Sequence, residues 1–169
     1  MERDRSKNLY RQGTGELEMT PLLKQLKGRR VTFDSMVFIY AFENHPIYVP
    51  LIRPILEALE KGEMEAITST LTLSECLVQP YKKKDAILAA QYRVLFHNFP
   101  NLFIYPLTED TADKAAFLRA QYHLKIPDAI QLATAFAAGS RFFLTNDTNF
   151  PSIEEIQVLV LDRFLPSKS

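Results

Sequence analysis

The sequence is short of several features, and each shortage excludes a class of protein. Cys76 is the only cysteine among the 169 residues, which excludes an internal disulfide and a cysteine-rich zinc site. No apolar run approaches the length that spans a bilayer, and the chain opens on charged residues rather than on an apolar signal core. The formal net charge is zero, which argues against bulk attraction to nucleic acid but not against a local basic surface. We therefore expect a cytoplasmic protein.

The composition that remains is typical of a single globular domain. Hydrophobic residues make up 47% of the chain and charged residues 24%, and the length is sufficient to bury an ordinary core. We predict a partly flexible N-terminal extension over residues 1–30 and one folded domain over residues 31–165. Within the extension, the amphipathic stretch 21–27 ends at Gly28 and predicts one or two turns of helix.

Strand patterns alternate with helix patterns along the rest of the chain. Short apolar runs predict strands at 31–33, 65–68, 102–105, 141–144 and 158–161. Helical spacing predicts helices at 36–42, 50–61, 69–78, 82–98, 108–122 and 126–138. We expect Ser69 or Thr70 to cap the third of these helices, Pro80 to end it, and Lys82–Lys84 to begin the next one. The alternation predicts an α/β fold, a three-layer α/β/α sandwich around a parallel sheet.

Four acids stand at related places in this pattern. Asp34 directly follows the first strand and Asp147 follows the fourth, while Glu75 and Asp128 lie near the starts of two helices. Carboxyl ends of parallel strands meet at one edge of the sheet, which is where such folds bind ligands. Each acid also has a simpler explanation, as a solvated helix position, a helix-dipole residue or a turn residue. Their joint placement favours a common site.

Acids gathered in this way favour a particular chemistry. Like charges would repel and raise one another's pKa unless a cation balanced them. Oxygen ligands without His or Cys suit Mg²⁺ or Mn²⁺ and not Zn²⁺. A Mg²⁺ ion held by carboxylates is a standard apparatus for phosphoryl chemistry. The residues therefore predict metal-dependent hydrolysis of a nucleic-acid backbone.

Four segments resemble the motifs of a known family. They are Asp34-Ser35 after its strand and the stretches 71–75, 127–135 and 144–150, the most specific being Pro127-Asp128-Ala129 followed by Leu144-Thr145-Asn146-Asp147. In order and spacing they look like the motifs of the PIN-domain nucleases, and most of all those of the small VapC-like toxins of bacteria. This resemblance implies a Rossmann-like sandwich and a Mg²⁺- or Mn²⁺-dependent endoribonuclease acting on structured RNA. It also implies a homodimer, inhibited by a small antitoxin protein that occupies the acidic groove.

The resemblance also assigns roles to residues. It implies that Asp34, Glu75, Asp128 and Asp147 hold the metal and carry catalysis. Thr145 would orient the last acid through its hydroxyl, with Ser35 and Asn149 in supporting positions.

Two features depart from the family pattern. A thirty-residue extension precedes the first motif. Asn149 stands where many relatives have an acid, so a second metal would be held less well. One alternative of another class stays open, a PIN-like fold that has lost catalysis and serves as an RNA- or protein-binding scaffold.

Overall fold

A five-stranded parallel sheet forms the centre of the protein, for which a computed structural model describes residues 19–166. The strands are β1 (Arg30–Phe33), β2 (Glu65–Ser69), β3 (Leu102–Tyr105), β4 (Phe142–Thr145) and β5 (Gln157–Val160). They lie in the order β3-β2-β1-β4-β5, and all of the pairings are parallel. The direction of winding therefore reverses between β1 and β4. In doubly wound sheets this reversal opens a crevice at the carboxyl ends of the two strands.

Helices cover both faces of the sheet. They are α1 (Pro21–Leu26), α2 (Ser35–Phe42), α3 (Val49–Glu60), α4 (Thr70–Lys82), α5 (Ala86–Asn98), α6 (Glu109–Tyr122) and α7 (Ile126–Ala137), with a 3-10 helix at Leu161–Phe164. Phe143 of β4 packs into the core beside α6 and α7, whereas its neighbour Leu144 packs into the core beside α1, α2 and α3. Successive strand residues point to opposite faces, so these two cores lie on opposite sides of the sheet. The predicted three-layer sandwich is confirmed.

The middle of helix α7 is buried on all sides. It packs on β1, β2 and β4 and is covered in turn by α6. Its seven consecutive residues from Ala129 to Ala135 are all buried, as expected of a helix that is apolar around most of its surface. Because α7 is held so firmly, Asp128 in its first turn has a fixed place at the edge of the sheet. None of the helices between residues 19 and 166 is both long and apolar enough to cross a membrane.

The short helix α1 belongs to the folded unit. Thr20 caps it by accepting a hydrogen bond from the Leu23 N–H at 3.1 Å, and Gly28, with φ at +74°, follows its end. Three of its leucines are fully buried in the larger core, namely Leu22, Leu23 and Leu26. The remainder of the predicted flexible extension, residues 1–18, lies outside the described residues.

The predicted end of α4 at Pro80 is wrong. The helix continues through Pro80 to Lys82, and α5 begins only at Ala86. The lysines 82–84 therefore lie in the last turn of α4 and the following loop rather than at a helix start. Pro80 is buried, and its carbonyl accepts a hydrogen bond from the Asp85 N–H at 2.9 Å. A proline costs an α-helix one backbone hydrogen bond, and in this last turn the packing of its ring offsets that loss.

Candidate functional site

Asp34 lies at the point where the sheet reverses its winding. Phe33 of β1 is in register with Leu144 of β4, and the Asp34 N–H donates to the Leu144 carbonyl at 2.9 Å. Asp34 is also the N-cap of α2, since its Oδ1 accepts a hydrogen bond from the Ser35 N–H at 2.7 Å. The carboxylate is therefore held between the end of a strand and the start of a helix.

Thr145 connects Asp34 to the loop that carries Asp147. Its side chain is fully buried, and its hydroxyl donates to Asp34 Oδ2 at 2.7 Å. The Thr145 hydroxyl oxygen in turn accepts a hydrogen bond from the Asp147 N–H at 3.1 Å. A single hydroxyl thus orients the first acid directly and the last acid through its backbone, whereas the resemblance implied only the second of these roles.

The loop after β4 holds Asp147 in a tight turn. Its Oδ1 accepts a hydrogen bond from the backbone N–H of Asn149 at 2.9 Å, and the Asn149 residue itself is exposed. Asn146 steadies the loop from the other side, because its side chain binds the Tyr40 hydroxyl at 3.3 Å and the Asp162 N–H at 2.9 Å. Asn149 thus supports Asp147 through its backbone N–H, whereas Asn146 supports the loop through its side chain.

Glu75 reaches the same region from α4. Burial raises its pKa, and the negative charge of Asp34 raises it further, while a hydrogen bond from Ser35 acts in the opposite direction. The Ser35 hydroxyl also lies 3.3 Å from Asp34 Oδ1. Ser35 therefore lies between the two acids. Burial likewise raises the pKa of Asp34, although its hydrogen bonds from Thr145 and Ser35 oppose that effect.

Asp128 experiences the charges of the other three acids. Burial raises the pKa of its carboxyl, and the charges of Asp34 and Asp147 raise it further. Lys125 acts in the opposite direction, and Glu75 adds a smaller increase. The resulting pKa is about 6. Only acids that lie near one another can interact in this way. The structure therefore brings the four sequence-predicted acids to one edge of the sheet.

The four acids lie near enough to interact electrostatically, but they are not in tight contact. Between residues 19 and 166, no three His, Cys, Asp or Glu side chains come close enough to enclose a metal ion. The chemistry of the donors, carboxylate oxygens alone, fits a hard divalent cation such as Mg²⁺ or Mn²⁺. The arrangement is thus an open acidic cluster with the donor set of a divalent cation site.

Cys76, which follows Glu75 in the sequence, has no part in this cluster. It is buried, and burial together with the neighbouring negative charges raises its pKa far above the ordinary range. A thiol in this environment stays protonated and is a poor nucleophile. Cys76 instead packs in the larger core.

Sequence reasoning missed a buried polar group beside the site. The Ser69 hydroxyl donates to Gln131 Oε1 at 3.1 Å, and Gln131 Nε2 donates to the Thr72 hydroxyl. Ser69 occupies the N-cap position of α4 as expected, but its side chain makes no capping hydrogen bond. One signal was available, because Gln131 is a long polar residue in an otherwise apolar run and would need a partner if that run were buried.

Comparisons with known proteins agree with this geometry. The family model for the PIN domain matches residues 31–156. No match was found among curated proteins.

Three solved structures illustrate the similarity. A toxin-antitoxin complex from Klebsiella pneumoniae is 25% identical, with a TM-score of 0.60, and covers 78% of this chain and 97% of that chain. VapBC2 from Rickettsia felis, bound to a DNA fragment from their promoter, is 18% identical with a TM-score of 0.61, over 78% and 98% of the two chains. The sarcin-ricin loop cleaving toxin VapC20 of Mycobacterium tuberculosis is 12% identical with a TM-score of 0.59, over 71% and 92%. Since the family model spans well over half of the 169 residues and includes all four acids, the chain belongs to the PIN domain family.

Proposed function

We propose that this protein is a metal-dependent endoribonuclease and the toxin of a toxin-antitoxin pair. The observation that carries the proposal is the cluster at the β1 and β4 ends. There Thr145 joins Asp34 to the Asp147 loop. Glu75 and Asp128 lie close enough to the other acids for those negative charges to raise their pKa values. Membership of the PIN domain family supports the nuclease part. The toxin-antitoxin complex that is 25% identical supports the toxin part.

The four carboxylates are the proposed ligands of Mg²⁺ or Mn²⁺. Burial and mutual repulsion raise the pKa values of Asp34, Glu75 and Asp128, so their charged forms are destabilised. A divalent cation would relieve that repulsion, which is why these shifts support a cation site. A bound Mg²⁺ would neutralise the negative charge of a phosphodiester and make a water bound to the ion more acidic. Thr145 and Ser35 contribute by holding Asp34 in one orientation.

The proposed partners follow from the same assignment. RNA is the proposed substrate, a small antitoxin protein is the proposed inhibitor at the acidic edge, and two copies of the chain form the proposed homodimer in the cytoplasm. The net charge of zero offers no general attraction for RNA, so substrate binding must depend on local contacts around the acids.

A calorimetric Mn²⁺ titration, carried into the millimolar range, tests the metal site first. We expect the wild-type protein to take up Mn²⁺, and Asp34→Asn and Asp128→Asn to lose at least about tenfold in affinity because each removes one charged ligand. RNA cleavage should fall in parallel. The matched control is Asp113→Asn, an exposed acid of α6 outside the cluster, which should behave as the wild type.

Two results would count against the proposal. Cleavage of RNA at the wild-type rate by Asp34→Asn and Asp128→Asn would show that the acids do not carry the reaction. If the wild type neither takes up Mn²⁺ nor cleaves RNA, the protein is instead an inactive PIN-like scaffold that binds RNA or protein.

A further inference from the structure

A buried carboxamide joins the two helices that carry Glu75 and Asp128. Gln131 on α7 is only 1% exposed, and its two hydrogen-bond partners, Ser69 and Thr72, are fully buried. Burying an amide costs free energy unless its hydrogen bonds are made, so a site of this kind is stable only when the partners are in place. We call these three residues the Gln131 clamp.

The clamp connects parts of the chain that are distant in sequence. Its hydrogen bonds link residues 62 and 59 positions apart. Ser69 stands at the N-cap of α4, where a serine side chain normally accepts a hydrogen bond from the helix's own N–H groups. Here the hydroxyl makes no such bond and binds Gln131 instead. The start of α4 is thus tied to α7 at the expense of its own cap.

The clamp lies one helical turn from each acid. Thr72 precedes Glu75 by three residues, and Gln131 follows Asp128 by three residues. Two residues that are three positions apart in a helix lie about 4.5 Å apart along its axis and on the same side of it. Because α4 and α7 pack directly against each other, a slide or rotation that broke the clamp would move Glu75 relative to Asp128.

We propose that Gln131 is a positioning residue that sets the separation of Glu75 and Asp128 by holding Ser69 and Thr72. The proposal rests on the proposed function, because a metal site is what these two acids would be positioned for. An apolar side chain of similar size would fill the same space without the desolvation cost of an amide. What the amide adds is a directional connection, and a fully bonded buried polar group makes its surroundings rigid.

The test compares variants that remove the clamp with one that keeps it. Gln131→Leu removes both hydrogen bonds at similar volume, Thr72→Val removes one hydroxyl without changing shape, and Thr72→Ser retains that hydroxyl. The measurements are Mn²⁺ affinity by calorimetry in the absence of RNA, and kcat and KM on a labelled RNA hairpin that the wild type cleaves. We expect Gln131→Leu and Thr72→Val to lose about tenfold in Mn²⁺ affinity and in kcat with little change in KM. Thr72→Ser should keep the Mn²⁺ affinity and kcat of the wild type.

A matched control lies on the same helix. Thr134 is also buried on α7, but its hydroxyl donates to the Ile130 carbonyl of its own helix at 2.8 Å and joins no second element. Thr134→Val should therefore leave Mn²⁺ affinity and kcat as in the wild type.

The possible outcomes separate the two proposals. If Gln131→Leu lowers thermal stability but keeps the wild-type Mn²⁺ affinity and kcat, Gln131 is only structural and the positioning proposal is wrong. If Gln131→Leu does not fold, the two Thr72 variants decide the question in the same way. If the wild type itself neither takes up Mn²⁺ nor cleaves RNA, the proposed function has failed and the positioning proposal fails with it.

Discussion

At the scale of single residues, the acids of the cluster differ in how their charges are supported. Asp34 receives hydrogen bonds from Ser35 and Thr145, which favour its charged form against burial. For Asp128, burial and the charges of its neighbours outweigh the help of Lys125, and its pKa rises to about 6. Asp128 is therefore the acid whose protonation should respond to pH near neutrality.

The raised pKa of Asp128 predicts a pH-dependent cost to stability. A carboxyl with a pKa near 3.8 when unfolded and about 6 when folded binds more protons in the folded state between those values. Stability therefore falls as pH rises through this window, and the penalty is complete above about pH 6 and absent below about pH 4. Asp128→Asn removes the penalty, so in metal-free buffer the variant should be more stable than the wild type near pH 7. Since Asp128 is only half-buried, we expect a gain of about 1–2 kcal/mol.

Denaturant unfolding of both proteins near pH 4 and near pH 7 measures this effect. The two curves should nearly coincide at the lower pH and separate at the higher one. Asp113→Asn, which changes an exposed acid of α6, should follow the wild type at both values. A difference between wild type and Asp128→Asn that is equal at the two pH values would contradict the assignment.

At the scale of helices and strands, the sequence predicts those features that depend on neighbouring residues. The apolar runs marked all five strands, and the glycine after α1 marked its end, because alternation and turn chemistry are local. Pro80 was misjudged, since the rule that proline ends a helix omits the packing of its buried ring. Gln131 was missed for a related reason, because its partners lie 62 and 59 residues away.

The candidate site, too, was predictable only in part. Asp34 directly follows β1, and Asp147 lies in the loop just after β4, so the topology of a parallel sheet was enough to bring them to one edge. The hydroxyl of Thr145 shared by Asp34 and the Asp147 backbone, and the support of Asp147 by the Asn149 N–H, depend on exact loop geometry. The resemblance implied that Thr145 orients Asp147 and that Asn149 has a supporting position. Nothing in the sequence specified that the Thr145 hydroxyl donates to Asp34 or that Asn149 acts through its backbone N–H.

The burial of α1 predicts that this helix is required for the stability of the domain. Leu26 is fully buried in the larger core, so Leu26→Ala should lower the free energy of unfolding by about 2–5 kcal/mol. Leu107 offers a control, because it is 47% exposed and Leu107→Ala should change stability by no more than about 0.5 kcal/mol. Urea unfolding followed by circular dichroism would measure both. Equal stability of the two variants would show that α1 is not part of the cooperative unit.

At the scale of the whole molecule, the acidic cluster couples local charge to global folding. A ligand that binds only the folded state raises the stability of the entire chain by mass action. The proposed ligands come from the ends of β1 and β4 and from α4 and α7, which are brought together only in the folded protein. Unfolding would scatter them, so cation binding and unfolding should oppose each other.

This coupling predicts that Mn²⁺ raises the melting temperature of the wild type. At a free concentration ten times the Kd, the gain should be about 1.4 kcal/mol, which corresponds to a rise of roughly 3–6 °C for a domain of this size. Asp128→Asn should show little of this increase, because it lacks one of the proposed ligands. A NaCl series at matched ionic strength is the control, since general screening would also ease the repulsion among the acids. If NaCl raises the melting temperature as much as Mn²⁺ does, or if Asp128→Asn responds to Mn²⁺ as strongly as the wild type, the cluster responds to ionic strength alone and does not bind the cation specifically.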